Sequence, residues 1–247
     1  MPRTTLEICI DSVAGCGAAI AGGADRIELC GALSVGGLTP SAGLVAEVLH
    51  LAGAAGVRVH AMVRPRAGDF AYDARELSTA ISEGKALILA GVDGLVFGAA
   101  RHGSLDRDAL TSWINAMRAV RADIDLTLHR AVDLLADPVA AVEQAITLGF
   151  QRILTSGGAV RAIDGAGMIR AMREQAAGRI AVMPGSGVRP DNVATLLAAT
   201  GAEEVHASAS APVVQDDPRV QALGFAGPGL ARTDEAIVRA LRAAIDA

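Results

Sequence analysis

Gly23-Ala24-Asp25-Arg26-Ile27 returns along the chain as Gly91-Val92-Asp93-Gly94-Leu95, Gly149-Phe150-Gln151-Arg152-Ile153 and Gly201-Ala202-Glu203-Glu204-Val205. Each copy offers a glycine that can stop a helix, then polar residues, then the apolar opening of a strand. The copies lie 68, 58 and 52 residues apart, close to one βαβα quarter of an eightfold barrel. Around them, β-rich runs fall at 6–10, 26–30, 57–63, 94–97, 124–129, 152–155, 180–183 and 204–207, separated by longer helical stretches. Such alternation predicts an α/β protein with a parallel sheet. An open doubly wound sheet needs no quarter repeat and favours a GxGxxG turn after its first strand, which this chain lacks. The expectation is a single (β/α)8 TIM barrel spanning residues 1–247.

Helix boundaries are written locally. Thr39 before Pro40, Asp137 before Pro138, and Asp73 followed by Glu76 read as helix starts, the last as a capping box. Gly149 and Gly201 stand where helices should stop. After the eighth strand, residues 210–232 form a Pro- and Gly-containing stretch. So long a loop reads as a lid or an oligomer contact. Thr233 is the expected cap of a last helix running to residue 246.

Composition excludes several function classes. A chain of 247 residues buries roughly three quarters of its unfolded surface. Aromatic residues make up only 2%, too few for a base-stacking surface, and the net charge of −5 comes without any block of Lys or Arg. Nucleic acid is therefore not an expected partner. The opening residues lack an apolar segment of signal-peptide length, and no apolar run is long enough to span a bilayer. A cytoplasmic protein without membrane contact is expected. Cys9, Cys16 and Cys30, at no CxxC spacing, suit free thiols in a reducing compartment.

Strand parity locates the candidate site. Helices cover the outer face of a barrel, so the apolar parity must point outward. Leu6, Ile8, Ile10, Ile27, Leu29, Val59, Ala61, Val63, Leu126, Leu128 and Val205 form that set. The opposite parity collects Glu7, Cys9, Arg26, Glu28, Cys30, His60, Met62, Arg64, Thr127, His129 and His206. Buried charges are costly unless paired, so this cluster reads either as a site or as a structural ion-pair network. As a site, it supplies Glu7 or Glu28 with His129 for acid–base work, flanked by His60 and Arg64. The third and fifth strands continue into Arg64-Pro-Arg66-Ala-Gly-Asp69 and His129-Arg130-Ala-Val-Asp133, carrying charge to the rim where barrel enzymes work. Arg66, Asp69, Arg130 and Asp133 are thus candidate contacts for a small anionic ligand.

Two glycine-rich rims point the same way. The sixth strand ends in Thr155-Ser156-Gly157-Gly158 and the seventh in Met183-Pro184-Gly185-Ser186-Gly187. Backbone N–H groups there can approach an anion closely. Ser156, Gly157, Gly158, Gly185 and Gly187 join the anion-binding candidates, with tight turns as the competing reading. No organic cofactor signature is present.

The ordered motifs Leu-Glu7-Ile-Cys9, Asp-Arg-Ile-Glu28-Leu-Cys30, Gly36-Gly37-Leu-Thr39-Pro40-Ser41, Arg64-Pro-Arg66-x-Gly68-Asp69, Leu-His129-Arg130-Ala-x-Asp133, Leu-Thr-Ser156-Gly-Gly and Met-Pro-Gly185-x-Gly187 resemble the CutC family of copper homeostasis proteins. The resemblance runs from residue 6 to about residue 208. Ser186 replaces a glycine common in the family, and Ala207 stands where Gly or Ser is usual. The resemblance implies a barrel, a cytoplasmic location, homodimers or higher homo-oligomers, and a role in copper binding or tolerance. Cys9 and Cys30 lie on the inward parity of adjacent strands, whose backbones run about 4.8 Å apart. Two such thiolates suit Cu(I), with Met62 as a third soft donor. Free cysteines are also ordinary small core residues. A Cu(I)-binding protein, an enzyme acting on a small anionic metabolite, and a non-catalytic descendant of such an enzyme all remain compatible with these residues.

Overall fold

The computed structural model describes residues 3–214, 216–225, 227 and 229–247. Eight parallel strands form where the apolar parity recurs: β1 (Thr5–Ile10), β2 (Arg26–Leu29), β3 (Arg58–Met62), β4 (Gly94–Phe97), β5 (Asp125–Leu128), β6 (Arg152–Thr155), β7 (Ala181–Pro184) and β8 (Glu204–Ala207). They pair in the order β8-β1-β2-β3-β4-β5-β6-β7. Strands β7 and β8 lie against each other to close the ring, with no ladder between them among the described residues. The TIM-barrel expectation holds.

Helices α1 (Val13–Gly22), α2 (Ala42–Ala55), α3 (Ala74–Ala90), α4 (Arg107–Arg118), α5 (Pro138–Leu148), α6 (Ala166–Ala176) and α7 (Val193–Thr200) cover the outside. Asp73 and Glu76 form the expected capping box, Asp137 caps α5 with Pro138 in its first turn, and Gly149 and Gly201 end their helices with φ of +85° and +67°. Two starts differ from expectation. Ser41, not Thr39, caps α2, because the Thr39 hydroxyl is engaged elsewhere: it donates to Glu83 at 2.6 Å and accepts the Arg64 N–H at 2.9 Å. The last helix, α8 (Glu235–Asp246), is capped by Asp234, whose carboxylate accepts the Ile237 N–H at 3.0 Å. Thr233 instead pairs with Ser210 in a small antiparallel hairpin, Ser210–Pro212 with Ala231–Thr233. The 210–232 stretch thus carries its own structure, including a helical turn at Pro218–Ala222. Gln215, Ala226 and Pro228 of that stretch lie outside the described residues.

The outward parity is the core. Leu6, Ile8, Ile27, Leu29, Val59, Leu126 and Val205 are buried beneath the helices, and Phe97 stacks on Trp113 at 4.4 Å between ring centroids. Register then sets which inward residues meet. Glu7 stands opposite both Arg26 and His206, Cys9 opposite Glu28, Glu28 opposite His60, and His60 opposite Gly94. Gly94 has no side chain because the imidazole fills that space: a Cβ there would fall 2.8 Å from the His60 ring. Among the described residues, no helix is long and apolar enough to cross a membrane.

Candidate functional site at the barrel mouth

The inward cluster divides by depth into two parts with different chemistry. At the floor, charges alternate. Arg26, fully buried, pairs with Glu7 through Nε and with Glu204 at 2.5 Å through Nη2, which also donates to the Met183 sulfur at 3.3 Å. Arg152 shares Glu204 Oε2 with Arg26 through its Nε, reaches Oε1 at 3.2 Å through Nη2, pairs with Asp125 at 3.2 Å, and reaches the Thr127 hydroxyl at 3.2 Å. Burial would raise the Glu7 carboxyl, but Arg26 and His206 hold it well below the usual carboxylate range. His60 lies beside this network with Nε2 3.7 Å from Asp125. Burial, reinforced by Arg26, pushes its pKa down to about 4, so it is neutral in the folded protein. Glu7 and His60 are buried and do not line the cavity above; Glu7 reaches its wall only through His206. For this half of the cluster, the ion-pair network describes the geometry.

Soft and titratable donors gather at the mouth. One ligand atom from each of Cys9, Glu28 and His206 lies within 4.8 Å of the other two. The His206 Nδ1 is 2.8 Å from Glu7, and its Nε2 is 3.8 Å from Glu28. Burial disfavours the imidazolium, yet the surrounding Cys9, Glu28 and Glu7 raise the His206 pKa well above its ordinary value. Glu28 is shifted upward, chiefly by burial and then by Glu7. The Cys30 thiol donates to Glu28 at 3.6 Å, and burial with the neighbouring carboxylate raises its pKa well above the free value. Cys30, Met62 and Val96 form a small buried cluster of their own. A Cβ on Gly37, which has φ +84°, would fall 3.1 Å from Cys30 Sγ and 3.7 Å from Met62 Cε, so the two sulfur side chains border one space.

Above these donors opens a cavity of about 780 Å³, lined by Cys9, Glu28, Met62, Arg64, His129, Arg130 and His206 together with the β7 and β8 loops. The His129 Nδ1 accepts the Ala131 N–H at 3.1 Å, which assigns the proton to Nε2. Burial and then the Arg64 charge lower the His129 pKa to about 3. Arg64 is fixed by the carbonyls of Val35, Gly37 and Gly68 at 2.8–3.0 Å, and its guanidinium lies 5.1 Å from the Phe70 ring centre.

The remaining anion candidates are placed elsewhere or already engaged. Arg66 is outside the cavity lining and holds Glu76, Asp69 at 2.9 Å, and the Ala71 carbonyl at 3.0 Å, tying down the β3 loop. The β6 rim is filled from within. The Asp133 carboxylate accepts the Ser156 N–H at 3.1 Å, the Gly158 N–H at 3.2 Å and the Thr155 hydroxyl at 2.5 Å, while the Gly157 N–H goes to the Thr155 hydroxyl. Arg130 is neutralised by the same Asp133 at 2.8 Å. Ser156, Gly157 and Gly158 therefore offer no open seat to an outside anion. Gly185 is a packing glycine: its N–H goes to the Thr155 carbonyl, and a Cβ would fall 2.6 Å from Leu154 Cδ1. Gly187 does line the cavity.

Residues 4–211 match the CutC family. The chain belongs to the CutC family. A CutC family protein from Sinorhizobium medicae is 47% identical, covering 100% of this chain and 98% of the relative. A human relative, named copper homeostasis protein cutC homolog, is 43% identical over 83% of this chain and 72% of its own length. A CutC crystal structure from Streptococcus agalactiae superposes with a TM-score of 0.78 at 29% identity, covering 83% of this chain and 98% of that one. Inward parity points to Cys9, Glu28, Cys30 and Arg64 of this CutC-family mouth and also places His206 inward, but it does not mark His206 as a ligand. Its proximity to Cys9 depends on the β8–β1 register, which no local pattern encodes.

Proposed function

We propose that this CutC-family chain serves copper homeostasis by holding Cu(I) as cargo at the barrel mouth, with Cys9 and His206 as ligands and Cys30 and Met62 as adjoining soft donors. The observation that carries this reading is the Cys9–Glu28–His206 group, whose donor atoms lie within 4.8 Å of one another, next to the Cys30–Met62 pair. Thiolate, thioether and imidazole suit Cu(I), whereas a carboxylate is a poor partner for so soft an ion. Glu28 therefore has a different task. It accepts the Cys30 thiol hydrogen bond at 3.6 Å and is placed to take the proton that must leave before the sulfur binds as thiolate. Affinity accordingly rises with pH. Three free thiols support a cytoplasmic, reducing location for this activity.

Copper K-edge absorption on the Cu(I)-loaded protein tests the proposal. Sulfur scattering together with an imidazole signature is expected. A shell of nitrogen and oxygen alone would rule the proposal out.

A further inference from the structure

We propose that the cavity above the sulfur donors is a binding site for a small organic anion, a carboxylate or phosphate ester whose charged group meets the β7 loop and Arg64. The inference does not rest on the copper reading; it follows from polar groups that the fold leaves open on two facing walls.

The first wall is Ser186-Gly187-Val188-Arg189, all four of which line the cavity. The backbone N–H groups of Ser186, Gly187 and Val188 have no acceptor among the described residues, and neither does the Arg189 guanidinium. Ser186 is held at φ +87°, a left-handed conformation that a residue with a side chain adopts only at a cost. Its hydroxyl donates to the Val160 carbonyl at 2.9 Å and pins that backbone. Open N–H groups beside an unpaired cation are the usual means by which a barrel receives an anion in this quadrant.

The second wall is buried and equally unanswered. Arg64 is 6% exposed and has no carboxylate partner among the described residues; its Nε–H has no acceptor at all. A guanidinium taken out of water without a counter-charge is unfavourable, and neutral carbonyls offset only part of that cost. His129 is 2% exposed, and its Nε2–H has no acceptor either, although Nδ1 is fixed by the Ala131 N–H. Both side chains line the cavity, and Arg64 brings to it a positive charge that no carboxylate among the described residues balances. Phe70 and Leu154 complete the lining with apolar surface for the ligand body. A cavity of about 780 Å³ is of a size suited to a small metabolite.

The contrast with β6 supports the assignment. There the equivalent N–H groups are taken by Asp133, and the neighbouring Arg130 is neutralised by it. The protein fills one anion seat with its own carboxylate and leaves the next one open.

The test uses the copper-free full chain, titrated with sodium phosphate and separately with sodium malonate against sodium chloride at matched ionic strength. Thermal unfolding and calorimetry are read together. At least one anion is expected to raise Tm by several degrees beyond chloride and to give a saturating heat. The Arg189→Ala variant, exposed and safe for folding, is expected to weaken that binding about tenfold. His129→Gln, which keeps an acceptor for Ala131 but moves the donor, is expected to weaken it as well. Response to phosphate alone assigns a phosphate ester, and response to malonate alone assigns a carboxylate. No response beyond chloride to either anion, or binding undiminished in both variants, would overturn the proposal.

Discussion

At the floor of the barrel, Glu7, Arg26, Glu204, Arg152 and Asp125 alternate in sign and pair with one another; at the mouth, Arg64 and His129 are buried and keep donors without acceptors. Both regions come from the same inward parity of the barrel strands. The difference is that each floor carboxylate and arginine has an opposite charge beside it, although Arg26 Nη1 and both His60 nitrogens also lack hydrogen-bond partners, whereas Arg64 has no carboxylate partner among the described residues. Buried charge by itself therefore does not mark a site in this barrel. The mouth differs in holding a buried arginine with no carboxylate partner among the described residues, beside sulfur and imidazole donors that border a cavity.

Removing a partner from the floor should produce the largest effect. Arg26→Met removes the only arginine partner of Glu7 among the described residues, leaving it His206, and one of the two arginine partners of Glu204, and urea unfolding should show a loss of about 3–5 kcal/mol. A loss under about 1 kcal/mol would mean that the floor is not held by its ion pairs. Protonation comes next. His60 and His129 have folded pKa values of about 4 and about 3, both below the value of about 6.5 in an unfolded chain. The unfolded state therefore binds these protons first, and stability falls as pH drops below about 6.5, until the folded values are reached near pH 4 and 3. At pH 5 each histidine accounts for about 2 kcal/mol of the loss relative to neutral pH. His129→Gln should flatten the stability profile between pH 7 and 5; an unchanged slope would show that His129 is already charged or solvated. Smaller again is the β6 rim. Asp133→Ala frees the N–H groups of Ser156 and Gly158 and the Thr155 hydroxyl, for a loss of about 1–3 kcal/mol. Added phosphate should recover part of that loss by occupying the vacated seat. If phosphate acts equally on the parent and the variant, the two rims do not differ in the way described.

The sequence made the barrel legible because its signals are local and repeated. The Gly23, Gly91, Gly149 and Gly201 copies each end a helix and open an even-numbered strand, and the apolar parity of β1, β2, β3, β5 and β8 says which side faces the helices. Depth along the barrel axis is not local. Glu7 and Cys9 are two residues apart on β1 and share a parity, yet one belongs to the floor and the other to the mouth, because the neighbours each meets depend on the stagger of β8 and β2. The β6 glycines cannot be read locally for the same reason. They have the composition of an anion seat, but Asp133 arrives from the loop after β5 and occupies it, a long-range event invisible in Thr155-Ser156-Gly157-Gly158. Arg189 follows the β7 glycines, and an exposed loop arginine carries no sequence signal; only the three-dimensional structure shows that it has no partner among the described residues.

A competition titration against a chromophoric Cu(I) chelator under anaerobic conditions tests most directly whether the mouth binds copper. The parent chain should withdraw one equivalent of Cu(I). The Cys9→Ser, Cys30→Ser double variant, shown by circular dichroism to be folded, should withdraw none. Equal uptake by both proteins, or none by the parent, would contradict the assignment of the mouth as the copper site.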